Sequence, residues 1–166
     1  MGSSFGTTLW INPRKSDLMT RVTATRSSDR LGSAGDLLDN SYRLGMESGT
    51  KNENGSWWCV ALSEKYSLYL THYTLRHGLS DGDSFLRNWK LEGSLDGSNW
   101  KALKKHDNDV KLDRPSPYTT TWPIDGEGEA FRYFRIVQTG QNSTGTFDIN
   151  LSGIELCGVL IRRLSR

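Results

Sequence analysis

The sequence predicts an all-β sandwich, and three observations carry that reading. No stretch of helical period reaches a useful length. Short apolar or alternating runs recur between clusters of Gly, Asn, Asp and Ser, which is the pattern of a sandwich or barrel. Aromatic residues are plentiful (six Trp, six Tyr and five Phe) although only 35% of the 166 residues are apolar. A disordered chain would be poor in aromatics, so the surface is polar and the interior aromatic. The length suits one domain, and at that size folding hides roughly 70% of the chain's surface.

Strands are expected over 21–25, 57–62, 66–77, 88–94, 100–106, 118–122, 131–138 and 151–160. In the third, Leu68, Leu70, Tyr73 and Leu75 supply the apolar groups, with an irregularity near Thr71. In the fourth, Trp89, Leu91 and Gly93 alternate with Lys90, Glu92 and Ser94, as a half-buried strand does. Asp96-Gly97 follows as a hairpin signal, because a two-residue turn needs positive φ at both central residues. In the seventh, Phe131, Tyr133 and Arg135 oppose Arg132, Phe134 and Ile136, which implies partial burial on both faces. The only helical signal, Asp36-Leu37-Leu38-Asp39, is a single turn. Of the polar loops, 78–84 and 140–150 are expected to meet at one end. The domain is placed at 10–160, after a disordered start or cloning scar at 1–9 and before a basic tail or linker at 161–166.

Net charge is +2, from 21 basic and 19 acidic side chains. That balance provides no broad basic field, so nucleic acid is not an expected partner. No apolar run approaches the roughly 20 residues of a membrane span, and Met1-Gly2-Ser3-Ser4 lacks a signal peptide's apolar stretch. Cys59 and Cys157 both sit in apolar runs and read as buried free thiols, which fits a reducing, cytoplasmic setting, with the nucleus as the alternative. The triplets at Asn54, Asn142 and Asn150 match the N-glycosylation pattern, a short and common one, and read as chance.

Four motifs follow in order: Ser56-Trp57-Trp58-Cys59-Val60-Ala61-Leu62-Ser63; Leu86–Ser94 leading into Asp96-Gly97-Ser98-Asn99-Trp100; Phe131-Arg132-Tyr133-Phe134-Arg135-Ile136; and Ser152-Gly153-Ile154-Glu155-Leu156-Cys157-Gly158. Together they resemble the landmarks of discoidin, coagulation-factor C-type and galactose-binding-like domains, over nearly the whole chain. The runs Thr71–Gly78, Thr121-Trp122-Pro123 and Thr139–Gly145 are similar to the discoidin-like domains of HECT-type ubiquitin ligases and BTB-domain proteins. Ala61-Leu62-Ser63 departs from the usual Asp-Leu-Gly, and the terminal cysteine pair of secreted members is missing. The resemblance implies a jelly-roll β-sandwich that binds rather than catalyses.

It also implies a shallow ligand basin built from loops at one end. Arg76 falls near an arginine that contacts sugar in some relatives; His77 follows it, Asn142 lies in the last long loop and Arg30 in the first. These four are the candidate ligand-binding residues. Arginine's planar fork of donors suits carboxylates, phosphates and sugar hydroxyls. The competing reading makes Arg76 a strand arginine paired with a carboxylate such as Glu92, and Arg30 a solvated loop charge. Five tryptophans (Trp57, Trp58, Trp89, Trp100 and Trp122) read as core. Trp10 could cover a sheet edge, and Phe85 is the sole candidate for an exposed apolar spike.

No catalytic residue is assigned. Three histidines and two cysteines show no nucleophile elbow and no zinc-ligand spacing. No cofactor or metal is expected, with a structural calcium near Asp39 and Glu155 left open. The expected partner is a protein or peptide, with carbohydrate as the alternative, no nucleic acid and no membrane, and a monomeric domain. A lectin-like module is the second reading of function and a structural spacer the third.

Overall fold

A computed structural model describes residues 22–39, 47–79, 83–113, 118–125 and 128–164. Among these lie nine strands: β1 (Thr23–Arg26), β2 (Trp57–Ala61), β3 (Tyr66–His77), β4 (Trp89–Ser94), β5 (Lys101–His106), β6 (Thr119–Pro123), β7 (Ala130–Phe131), β8 (Tyr133–Gln138) and β9 (Leu151–Arg162). Short 3-10 helices cover Ala34–Leu38 and Lys111–Asp113; the second was not expected. One sheet has the order β1-β2-β8-β4-β5. The other is built on β3, which pairs with β9 along its length and with β6 and β7 on its other edge. Every pairing is antiparallel.

Alternation assigns the faces. Trp58 and Val60 point into the sandwich while Trp57 and Ala61 stay half-buried on the outer face. Across the sheet, Phe134, Ile136, Trp89 and Leu91 join the inner layer, each at 1% exposure or less. Leu68, Leu70, Tyr73, Leu75, Trp122 and Leu156 come from the opposing sheet. Burying a side chain of this size contributes about 1.5–3 kcal/mol, so this one core is the main source of stability.

Two irregularities explain why the pattern in the sequence breaks. The register of β3 against β9 shifts between Leu70 and His72. Thr71 is therefore an extra residue, and the inward parity changes from Leu68 and Leu70 to Tyr73, Leu75 and His77. The expected strand over 131–138 is two strands: the chain leaves β7 in one sheet and enters β8 in the other at Arg132. That switch buries both Phe131 and Phe134 in the same core.

The Asp-Gly hairpin differs from expectation. Gly97 has φ of 78° but Asp96 is not in the left-handed region, and the loop runs from the end of β4 to Lys101. The Asp96 carboxylate organises it instead, accepting from the backbone N–H groups of Ser98 and Asn99, both at 2.8 Å, and from the Asn99 amide at 2.6 Å. Those bonds hold its carboxyl well below the usual range. Strand β9 continues through Ile161 and Arg162. Trp10 and residues 1–9 lie outside the described residues.

Candidate functional site

Antiparallel pairing brings one set of strand ends together. Arg26 closes β1 beside the start of β2, Trp89 opens β4 opposite both Gln138 and His106, and His77 ends β3 opposite Leu151. The intervening loops therefore gather at one end of the sandwich. The loops expected to meet, 78–84 and 140–150, do so there through their described residues. The Phe85 N–H donates to the Ser143 hydroxyl and the Ser143 N–H to the Phe85 carbonyl, both at 2.9 Å, and the hydroxyls of Ser84 and Thr144 bond at 2.8 Å.

The four candidate residues lie at this end and form two pairs. Arg30 and Asn142 meet on Asp148. Arg30 Nη2 donates to Asn150 Oδ1 (2.7 Å) and Asp148 Oδ2 (3.3 Å), and its Nε to the Thr50 carbonyl (3.1 Å). The Asn142 amide donates to Asp148 Oδ1 at 3.0 Å, while its oxygen accepts the backbone N–H groups of Thr144 and Thr146. Burial by itself would raise the Asp148 carboxyl, but hydrogen bonds from Thr146 and Asn150 and the Arg30 charge bring it below its ordinary value.

Arg76 and His77 meet on Ser152. Arg76 donates through Nε to the Ser152 hydroxyl (3.0 Å) and through Nη2 to the carbonyls of Ser152 (2.8 Å) and Asp39 (3.2 Å). Its guanidinium packs over Gly153, where a Cβ would press on Cζ. The Ser152 hydroxyl donates in turn to the His77 carbonyl at 2.7 Å. The His77 ring lies against Phe85 at 4.2 Å and edge-on to Tyr118. The two pairs join where the Gly78 N–H donates to the Asn150 carbonyl.

Exposure separates the four. His77 and Asn142 are buried, Arg76 is half-buried, and the Arg30 side chain keeps 39% of its surface in solvent. Of the four, Arg30 is the one whose guanidinium faces outward; Lys51, Asn52, Gln141 and Ser143, neighbours in sequence of its partner Thr50 and of Asn142, are exposed as well. Two expectations are corrected. Glu92 is not the partner of Arg76, because it pairs with Arg135 and Lys90 on the outer face of the first sheet. Phe85 is no spike, being 3% exposed. Of the tryptophans, Trp58, Trp89 and Trp122 are core, while Trp57 and Trp100 are half-buried and Arg135 lies over the Trp100 ring at 3.9 Å. Among the described residues no group of three His, Cys, Asp or Glu side chains could hold a metal ion.

The sequence reading missed the polar side chains that tie the candidates together. Asp148, Asn150 and Ser152 alternate with the buried Ile149 and Leu151, a strand pattern visible in the sequence. It also missed a buried array beside this end. Trp89 Nε1–H donates to the Tyr73 oxygen (3.1 Å), the Tyr73 O–H to His106 Nε2 (2.5 Å), and His106 Nδ1–H to Asp109 Oδ2 (2.8 Å). Trp122 Nε1–H adds a second bond to that carboxylate oxygen at 3.0 Å. Desolvation lowers His106, so its ring stays neutral and serves as donor at one nitrogen and acceptor at the other. The order of carboxylate, imidazole and hydroxyl is that of a nucleophile relay, but Tyr73 is fully buried and burial pushes its hydroxyl far above its ordinary value. The array pins the core.

The family model described as the F5/8 type C domain matches residues 21–150. The chain belongs to the F5/8 type C domain family. Similar proteins are the E3 ubiquitin-protein ligase Ufd4 of Drosophila melanogaster, 34% identical over 97% of this chain, and the E3 ubiquitin-protein ligase hecd-1 of Caenorhabditis elegans, 33% identical over 92%. A BTB/POZ domain-containing protein of Arabidopsis thaliana is 32% identical over 84%. These are the two classes of protein that the sequence resemblance indicated. This F5/8 type C domain spans 6% of each ligase and 17% of the BTB/POZ protein.

Solved structures give the same fold at low identity. A family 32 carbohydrate-binding module of Clostridium perfringens, in complex with GalNAc-β-1,3-galactose, superposes with a TM-score of 0.64 at 16% identity, covering 81% of this chain and 94% of that one. A fucose-binding module of Streptococcus pneumoniae superposes with a TM-score of 0.62 at 18% identity, covering 91% and 96%. The F5/8 type C domain is thus an all-β, discoidin-like jelly-roll sandwich, a binding-module architecture.

Proposed function

We propose that this F5/8 type C domain is a non-catalytic recognition module of a larger, cytoplasmic ubiquitin-ligase-type protein, and that its end loops bind a protein or peptide partner. The observation that carries the reading is the outward-facing Arg30 guanidinium, held by Asp148 and Asn150 at the meeting point of the loops. Its planar fork recognises carboxylates and backbone carbonyls. Asn142, Arg76 and His77 act one layer below, fixing the loops on which the contact surface rides. The small share of the ligase relatives that the chain spans supports a module role. Preorganised loops of this kind lower the ordering cost of binding.

A carbohydrate ligand is the second reading, favoured by the sugar-binding modules that share the fold and by a donor and acceptor set that suits hydroxyls. Against it, the aromatic rings among the described residues of these loops are not fully exposed: Phe85 is buried, and Tyr118 and Phe147 are half-buried. Among the described residues, no fully exposed ring offers a sugar face a platform on which to stack. The deciding comparison is proximity labelling in cells with the wild type and with an Arg30→Ala/Gln141→Arg variant, alongside a glycan array. Specific proteins lost about tenfold or more in the variant would support protein recognition. Equal labelling together with array binding that the variant abolishes would transfer the same site to carbohydrate.

A further inference from the structure

The loop that enters β2 holds an Asn-Gly pair with nothing packed on it. The Ser56 N–H donates to the Glu53 carbonyl at 3.1 Å, closing a turn with Asn54 and Gly55 at its centre. Gly55 has φ of 78°, the positive value that a type II turn demands at its third residue. Both central residues are exposed, and open space surrounds the place where a Gly55 side chain would stand. Among the described residues, nothing bonds to the Asn54 side-chain amide and nothing accepts from the Gly55 N–H.

The rest of the chain offers no second place like it among the described residues. Asn54 is the only asparagine that precedes glycine. Asn142 and Asn150 are buried, and both side chains donate to Asp148. Asp96-Gly97 is the informative contrast, because Gly97 has the same φ of 78°. There the carboxylate accepts from the backbone N–H groups of Asn99 and Ser98 and from the Ser94 hydroxyl. Those bonds keep it ionised, and an ionised carboxylate is a poor electrophile. The Asn54 amide is neutral and unheld.

We propose that Asn54 is a modification site, where the side-chain amide is lost through a cyclic imide to give aspartate and isoaspartate. The Gly55 nitrogen attacks Asn54 Cγ, the Cγ–Nδ2 bond breaks, and ammonia leaves with the proton of the Gly55 N–H. Water then opens the five-membered imide. Opening at Cγ gives Asp; opening at the backbone carbonyl gives isoAsp, with the chain rerouted through Cβ and Cγ. The sequence of steps is redox-neutral and consumes only water. Glycine serves it twice, by taking the positive φ without strain and by placing no Cβ beside the attacking nitrogen. One negative charge is gained, so the formal net charge of +2 becomes +1. In isoAsp the turn is also lengthened by a backbone atom. Thr50 in this loop accepts from Arg30 Nε at 3.1 Å, and Asn52 Oδ1 accepts from the Phe147 N–H at 2.7 Å. The altered turn thus adjoins the end-loop surface, though its chemistry does not depend on the recognition reading.

The test incubates the folded chain at neutral pH and body temperature for several weeks, with a time-zero digest subtracted from every later one. Peptide mass spectrometry should find Asn54 converting at least about tenfold faster than any other asparagine. The rate should rise between about pH 6 and about pH 8, because the attacking nitrogen must give up its proton. An isoaspartyl carboxyl methyltransferase with its sulfonium methyl donor should label the tryptic peptide 52–65 and not the one that holds Asp96. Gly55→Ala should slow the conversion. If that variant disturbs folding, Asn54→Gln decides: the acidic species separated by ion exchange should no longer form. Conversion of Asn54 only in urea, a different asparagine leading, methyl label at Asp96 alone, or an acidic species that persists in Asn54→Gln would each overturn the proposal.

Discussion

Single residues show where the chemistry of this domain is used for structure. His106 is a core histidine: Trp89 stacks on its ring at 3.9 Å with planes 9° apart, and both nitrogens are engaged. Its folded value lies below the ordinary one because burial disfavours the charged ring. The sign of the consequence follows. As pH falls through about 6.5, the unfolded chain takes up a proton there while the folded protein does so only at lower pH. The unfolded state binds more protons in that window, so stability falls until the folded value is passed. Asp109 acts lower: burial would raise it, but hydrogen bonds from Lys111 and His106 bring it below its ordinary value, so its contribution is present above about 4 and lost as pH falls through the folded value. Urea unfolding of the wild type between about pH 7 and 5 should therefore show declining stability. His106→Gln should be less stable by about 1–3 kcal/mol at neutral pH and should show a flatter pH dependence. Parallel curves for the two proteins would mean that His106 is not the titrating group. Nothing in the sequence around His106 announces the array, because its members lie on four strands and a loop and meet only after the sheets close.

At the scale of elements, what was legible depended on how local the cause is. The bulge in β3 was legible because the apolar parity of one strand changes at Thr71. The split at Arg132 was not, because alternation on two faces reads the same whether one strand is buried on both sides or crosses between sheets. The Asp-Gly turn was located but its geometry was misread, since an Asp side chain can cap backbone N–H groups as readily as it enters a tight turn. The bulge also makes a demand on its partner. Thr71 Oγ1 donates to the Cys157 carbonyl at 3.1 Å, and β9 approaches so closely that a Cβ on Gly158 would collide with the Tyr69 carbonyl oxygen. That neighbour is backbone inside a paired strand and cannot rotate away. Gly158→Ala should cost about 1–3 kcal/mol by overpacking, read as a lower urea midpoint with unchanged m-value. Gly55→Ala is the comparison that isolates close packing from backbone strain: φ there is 78° and nothing lies within 4 Å. It should be destabilised by about 1 kcal/mol through conformation alone.

The whole molecule is held by one core that spans both sheets, with the loops of one end cross-bonded above it. The fold, and the end at which the candidate residues gather, were readable because strand order, turn signals and aromatic content all point the same way. The pairing of Arg30 with Asn142 and of Arg76 with His77 was not, since it depends on Asp148, Asn150 and Ser152 projecting into the same space. The two cysteines offer a way to test how far the core unfolds as a unit. Both are free; Cys59 is buried in β2, between β1 and β8, and Cys157 is half-buried on β9. Burial pushes the Cys59 thiol up to about 11; burial and the neighbouring Glu155 raise Cys157 as well. The thiolate is the reactive form, so both thiols should be slow toward a disulfide reagent at pH 8, and accessibility should order them. Cys157 is expected to react in the native protein, whereas Cys59 should become reactive only with the opening of its sheet. If that opening is global, the Cys59 labelling rate in dilute urea should follow the unfolding equilibrium measured by tryptophan fluorescence. A Cys59 rate insensitive to low urea would instead reveal a local opening of β1 from β2, and would show that this edge of the sandwich is not part of the cooperative unit.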